Sequence, residues 1–311
     1  MDRRTFLLSG AVVAAGAGGL YTVRQRSDTA STGTKDVLGF SVPPDIHRLV
    51  QLDWRDVLRD DPTISGITPL LEKLQVSPPA SVLASSSEEK YETLLFGGGD
   101  SAGAVVWTDW DEDLPLHLGW ERDSLTERTR AGETVYTNGD IAAARLNDGV
   151  IGIGTQATVA TLLERWNGTV TEAAGVVSTH VGASREAEVR FSLKNAERAG
   201  IDRTPLDQRI LSASGSLQHT EGDILLRVHL ILESSEHTDA VVSEIESTVV
   251  QLLCSTGWEC ESRRAVDETT ILDTNRQFSA ADIEYRAPVE EFREYGGTVL
   301  RGTLQGMTGG T

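Results

Sequence analysis

Lysine is nearly absent from this chain of 311 residues. The chain contains four lysines against 24 arginines, and its 47 aspartates and glutamates leave a formal net charge of −19. A surface this acidic repels a phosphate backbone, which excludes nucleic acid as a partner. An acidic, lysine-poor composition is typical of proteins that work in molar salt, where the Debye length falls to about 3 Å and self-repulsion is screened. A GC-rich genome also exchanges lysine for arginine, but it does not produce the acidic excess.

Cysteine is almost as scarce, because Cys254 and Cys260 are the only two in the chain. They are a candidate disulfide, since an oxidising compartment favours their pairing, and the alternative is two unpaired core thiols. Their spacing is not that of a Cys-x-x-Cys redox motif, so a thiol-exchange function is not supported.

Motifs of several enzyme classes are missing as well. The chain has no His-Glu-x-x-His zinc motif and no phosphate loop ending in Gly-Lys-Ser or Gly-Lys-Thr. Gly152-Ile153-Gly154 lacks the third glycine of a dinucleotide-binding turn, and no Asp or Glu follows on a second predicted strand at the expected distance. We therefore expect no cofactor and no catalytic residue.

The amino-terminal segment carries an export pattern. Arg3 and Arg4 precede an uncharged stretch from Thr5 to Val23, which is the arrangement of a twin-arginine signal. The twin-arginine translocase would then be the partner during export. The stretch is close to the roughly 20 residues that span a bilayer, so residues 1–23 are either a cleaved signal or an amino-terminal anchor. No other contact with a membrane is expected.

Downstream of the signal we predict a polar tether over residues 24–42, followed by an α+β body. Mostly antiparallel sheets with helices packed on one face are expected, because strand and helix patterns alternate with hairpin turns. The body divides into a first half, 43–175, and a second half, 176–295. A repeated Leu-Ser/Ala-Ala/Ser-Ser pattern at 82–86 and 210–214 suggests that the halves are related. Residues 296–311, rich in Gly and Thr, are predicted to be a flexible tail.

Several elements have clear local signals. Asn147-Asp148-Gly149 predicts a hairpin turn, and a helix is expected from the cap Thr155 to Asn167. A second amphipathic helix is predicted over 239–253, after a strongly apolar strand at 224–232. Two strands at 258–263 and 269–272 are expected to pair with each other.

The leader, the polar tether and a strand–helix start after Pro43-Pro44 together resemble those of haloarchaeal exported proteins of uncharacterised function. The resemblance covers the leader and the composition, and the body only loosely. It implies a life in brine outside the cytoplasm, and it carries no catalytic motif over to this chain.

An acidic run is the main metal candidate. Asp109, Asp111 and Asp113 have the opening spacing of a Ca²⁺ loop, in which oxygen ligands surround a hard cation. The sixth and twelfth positions hold Leu114 and Trp120 in place of glycine and glutamate. A solvated acidic loop therefore explains the run more simply, and we expect no metal there.

Two further groups of side chains have possible roles. His219, Glu221 and Asp223 lie close together in sequence and are residue types that ligate zinc or move protons, although a plain turn is favoured. Asn167 is a glycosylation candidate, because Asn167-Gly168-Thr169 is an acceptor sequence. Tryptophans flank the acidic run, and core packing is favoured over a carbohydrate platform for them.

The function expected from these features is a non-catalytic binding or structural module at the cell surface, with its protein or small-molecule partner left open. One alternative is a metal-dependent or other extracytoplasmic hydrolase, which requires ionisable groups that converge on one pocket. Another is a solute-binding protein of a transporter, which requires two lobes with a cleft near 171–186.

The acidic excess leads to a prediction about salt. Because self-repulsion is unscreened in dilute buffer, we expect the melting temperature to rise steeply from dilute to molar KCl. Thermal unfolding followed by circular dichroism across that range measures the effect. A melting temperature that is indifferent to KCl would contradict the halophilic interpretation.

Overall fold

The computed structural model describes residues 42–43, 46–53, 90–98, 101–110, 113–167, 187–194, 206–220, 222–255, 271–289, 298–299, 301–303 and 305–307. The strands are β1 (Arg48–Asp53), β2 (Lys90–Gly98), β3 (Ser101–Thr108), β4 (Thr126–Arg130), β5 (Glu133–Asn138), β6 (Ile141–Asn147), β7 (Val150–Gly154), β8 (Val189–Lys194), β9 (Ile210–Thr220), β10 (Asp223–Leu232), β11 (Ile271–Gln277) and β12 (Ala280–Pro288). The helices are α1 (Leu114–His117), α2 (Gln156–Trp166) and α3 (Thr238–Ser255), and residues 298–299, 301–303 and 305–307 form a C-terminal helical segment. Within these ranges, no helix is long and apolar enough to cross a membrane.

The strands form one sheet in the order β11-β12-β10-β9-β8-β1-β2-β3-β7-β6-β5-β4. Neighbouring strands are antiparallel throughout. The expectation of an α+β fold dominated by antiparallel sheet is therefore confirmed.

Strand β1 lies at the junction between the two predicted halves. It pairs with β2 from the first half and with β8 from the second, so both halves share the one sheet. Val50 lies opposite Leu95 and Phe191 in the register, and we call the side of the sheet that carries these three residues the front face. The side that carries Leu49 is the back face, because successive side chains of a strand point to opposite sides.

The front face is covered by α3 over the second half of the sheet. Val242, Ile245 and Val249 of α3 are buried in the same apolar cluster as Ile283 of β12 and Val50 of β1. These α3 positions recur every three or four residues, which places them on one side of the helix.

The back face is covered by α2 over the first half of the sheet. Leu162 and Leu163 of α2 are buried against Phe96 and Val105 in a second cluster. The expectation of helices on one face is therefore wrong for the whole sheet, because α2 and α3 pack on opposite sides. One cause is that most apolar residues of β10 and β12 face the front, while ion pairs such as Arg227–Glu284 lie on their back.

The local predictions differ in outcome. The hairpin turn at Asn147-Asp148-Gly149 is confirmed between β6 and β7, with Gly149 at φ 70°. The helix capped by Thr155 is also confirmed, since the Thr158 amide donates to its hydroxyl at 3.2 Å. β11, which contains part of the predicted 269–272 strand, pairs with β12, and the predicted partner 258–263 lies outside the described residues.

The predicted flexible tail is also wrong where the structure describes it. Val299, Thr303 and Met307 are buried, and the first and last of them belong to the front-face cluster. A Cβ at Gly306 would lie 2.7 Å from the Cα of Ile245, so the segment approaches α3 at a distance that glycine permits. The glycines that suggested flexibility allow close helix packing instead.

A polar network joins this segment to α3 and to the start of β9. The Asp207 amide donates to the Met307 carbonyl at 2.7 Å, and Arg209 bonds both Asp207 and Glu244 of α3. The hydrogen bond from Arg209 lowers the pKa of Asp207 below its ordinary value, which keeps this carboxylate ionised.

Packing of the C-terminal segment leads to a second prediction. Met307→Ala should lower the free energy of unfolding by about 3 kcal/mol, because it leaves a cavity in the front-face cluster. Urea unfolding in molar KCl measures this. The control is Leu116→Ala, whose side chain is 69% exposed and whose change should stay within about 0.5 kcal/mol. Equal stabilities of the two variants would show that the segment does not pack.

Candidate functional site

The β4–β5 hairpin lies at one end of the sheet. The turn residues Ala131 and Gly132 both have positive φ, 52° and 88°, as a two-residue type I′ turn requires. In the register, Arg128 lies opposite Val135 and Arg130 opposite Glu133. Since Val135 belongs to the back-face cluster, both arginines lie on the back face, the side covered by α2.

One edge of α2 runs beside this hairpin. Gln156, Ala160 and Glu164 are four residues apart and so line one side of the helix. The Gln156 amide donates to the Thr137 hydroxyl at 3.5 Å, and Arg130 forms an ion pair with Glu164 at 2.9 Å. These contacts hold the helix edge next to β4 and β5.

A groove of about 360 Å³ opens between the helix edge and the hairpin. This volume lies within the range of small-molecule sites. We call it the edge groove. Its lining residues are Arg128, Thr129, Arg130, Val135, Thr137, Gln156 and Ala160. Two of them, Val135 and Ala160, are apolar, and the others offer guanidinium, hydroxyl and amide groups.

The two arginines of the edge groove differ electrostatically. Arg130 is neutralised by Glu164 on α2. Within the described part of the chain, Arg128 forms no ion pair and no hydrogen bond through its side chain, and Val135 lies opposite it in place of a carboxylate. In a chain of net charge −19, Arg128 is thus a local positive charge at the mouth of a cavity.

Sequence reasoning missed this site because it did not predict β4 and β5. The signals for the hairpin were present: Ala131-Gly132 and Asn138-Gly139 punctuate a run rich in Thr, Val and Tyr, which are residues that favour strands. No local signal joins Arg128 to Gln156, however, because the sheet brings them together across the intervening β5, β6 and β7.

The acidic run is only partly described. Asp113 accepts a hydrogen bond from Arg122 at 2.7 Å, and Asp109 is exposed, whereas Asp111 lies outside the described residues. Over the described ranges, no three His, Cys, Asp or Glu side chains gather closely enough to hold a metal ion. The calcium interpretation gains no support from the two aspartates that are described.

The histidine and carboxylate group is divided by the sheet. His219 and Asp223 stand in adjacent register pairs of β9 and β10, so their side chains point to opposite faces. Asp223 forms an ion pair with Arg286 at 2.9 Å. Glu221 lies outside the described residues. The structure therefore does not bring His219 and Asp223 into one site.

The sequence contains two serine motifs that have the spacing of hydrolase motifs. Gly99-Asp100-Ser101-Ala102-Gly103 has the Gly-x-Ser-x-Gly spacing, but Ser101 begins β3 in a hairpin, whereas a nucleophile elbow needs a strand-to-helix turn. The His47 imidazole lies against Gly98, which is opposite Ser101 in the register. Ser87-Glu88-Glu89-Lys90 has Ser-x-x-Lys spacing, and Ser87 lies outside the described residues.

The remaining predicted positions are placed as follows. Asn167 is exposed at the C-terminal end of α2, so its side chain is accessible to modification. Cys260, Arg3 and Arg4 lie outside the described residues, and Cys254 is described only as part of the α3 backbone.

Core packing of a flanking tryptophan is confirmed. Trp110 is 3% exposed, belongs to the front-face cluster and stacks on His117 with ring centroids 5.3 Å apart. Trp107 and Trp120 are partly buried against the back and front clusters respectively.

Comparison with known proteins identifies a similar fold but no family. No protein-family model and no curated protein matches the chain. A solved structure described as "Structure of crystal form I of TP0453" has a TM-score of 0.50 at 9% identity, covering 86% of this chain and 98% of that one. A second crystal form of TP0453, form III, gives a TM-score of 0.49 at 8% identity, with 86% and 99% coverage. At this identity the similarity concerns the fold alone.

Proposed function

We propose that this protein is a non-catalytic binding module that works outside the cytoplasm of a halophile, and that the edge groove is its binding site. The single observation that carries the proposal is the groove itself, in which a cation without an ion pair lies beside apolar, hydroxyl and amide groups. Concave sites with a few polar groups on a partly apolar wall are typical of small-molecule binding.

The location rests on the sequence. Arg3-Arg4 and the uncharged segment after them favour export through the twin-arginine translocase, and the segment then serves as a cleaved signal or as an anchor. The acidic excess supports a protein that meets high salt. The module would therefore present its groove at the cell surface or in the medium.

We also infer that the two halves of the sheet are related. The strand order supports this, because each half places its strands in a similar order outward from the centre of the sheet. The first half has the order β1-β2-β3-β7-β6, and the second half has the order β8-β9-β10-β12-β11. In each half, a helix that contributes to the front-face cluster follows the third of these strands along the chain. Helix α1, through Leu114, follows β3, and helix α3 follows β10.

A defined panel of solutes tests the binding function. We expect at least one of acetate, hexanoate, phosphate, sulfate, hexanamide and glucose to bind saturably in isothermal titration at the lowest KCl concentration that maintains the fold. Gln156→Trp should abolish that binding, because the indole fills the groove. Ala157→Trp is the matched control, since Ala157 is the next residue of α2, exposed and outside the groove lining.

Two outcomes would contradict the proposal. Binding of no panel member, or equal loss in both tryptophan variants, would remove the groove as the site. Labelling by a fluorophosphonate that reacts with serine hydrolases, lost in Ser101→Ala, would contradict the non-catalytic function and favour the hydrolase alternative. Ser101 and His47 are the residues that such a hydrolase would use.

A further inference from the structure

We propose that the edge groove recognises a small organic monocarboxylate, with Arg128 as the residue that binds its carboxylate. This inference rests on the proposed function, because it names the ligand class of the same site. It depends on the difference between the two arginines of the hairpin and on the composition of the groove wall.

The charge of the groove lining matches a ligand that carries one negative charge. Arg130 is engaged by Glu164 at 2.9 Å, and Glu133 lies opposite it in the register. Arg128 therefore supplies the one uncompensated positive charge among the lining residues. A single carboxylate balances that charge, whereas a phosphate dianion would leave an excess negative charge beside an already acidic protein.

The geometry of the cation favours a carboxylate as well. A guanidinium is a planar fork that bonds both oxygens of a carboxylate in parallel, and such charge-assisted pairs are stronger than neutral hydrogen bonds. The Arg128 side chain is exposed, and within the described ranges it forms no ion pair or hydrogen bond that would have to break. The Thr137 hydroxyl, which lies on the same face as Val135, is a further polar group that lines the groove.

The apolar part of the groove wall favours a ligand with an apolar chain attached to its carboxylate. Val135 and Ala160 are 7% and 4% exposed and give an apolar surface between the polar groups. A cavity of about 360 Å³ is larger than a bare inorganic anion needs. A short aliphatic or aromatic chain attached to the carboxylate would pack against these two side chains, and the apolar surface that leaves water is chiefly the chain's own, at about 25 cal/mol for each Å² that is buried.

The test compares hexanoate with its neutral isostere hexanamide by isothermal titration on the full chain. Hexanoate should bind at least tenfold more tightly than hexanamide, and Arg128→Gln should weaken hexanoate binding by about tenfold or more. Arg301→Gln is the matched control, because it removes one positive charge from an exposed position outside the groove lining. Glu164→Gln should strengthen hexanoate binding severalfold, since it releases Arg130 from its ion pair.

Several results would overturn this assignment while leaving the proposed function intact. If hexanamide or glucose binds as tightly as hexanoate, the groove does not distinguish a negatively charged ligand from a neutral one. Phosphate binding more tightly than hexanoate would show a different anion class. Unchanged hexanoate binding in Arg128→Gln, together with self-association of that variant, would show that Arg128 instead protects an edge strand from pairing with another chain. Binding of no solute would overturn both proposals together.

Discussion

The pairing of β1 with β2 on one side and with β8 on the other joins strands β2–β7 and strands β8–β12 into one sheet. Leu49 and Val50 are fully buried, on the back and the front face respectively. The register on either side of β1 decides which face each residue of the neighbouring strands occupies, because a shift of one residue would exchange the two faces. The positions of both helices, and of the groove beside one of them, follow from that register.

The placement of α2 explains why a groove forms at one end of the sheet. This helix packs on β3, β6 and β7, and Gly154 allows the close approach, since a Cβ there would lie 2.9 Å from a Thr158 side-chain carbon. The sheet continues past the helix to β5 and β4. On the back face, the β4 residues are exposed, whereas Val135 and Thr137 of β5 are buried beside α2. This part of the back face is the floor of the edge groove, and the side of α2 is its wall.

Arginine has two different uses in this acidic protein. Several arginines lie in ion pairs, such as Arg227–Glu284 at 2.8 Å and Arg286–Asp223 at 2.9 Å, which join neighbouring strands on the exposed back face. Such exposed pairs contribute little to stability individually, and high salt weakens them further. Arg128 is different because it faces a cavity and no carboxylate of the described residues accepts a hydrogen bond from it. Under the proposal above, this one positive charge would balance a ligand that carries a single negative charge.

Several elements were determined by the sequence alone, because their signals are local. The cap Thr155, the turn at Asn147-Asp148-Gly149 and the apolar strand β10 each depend on residues a few positions apart, and the structure contains all three. Tertiary structure alone decided which face each helix covers, which strand pairs with β11, and that the glycine-rich C-terminal segment packs on α3. It also decided the groove, because the floor residue Arg128 and the wall residue Gln156 meet only when β5, β6 and β7 fold between them. Local rules fix the conformation of a segment, whereas burial of apolar surface against distant strands fixes its position.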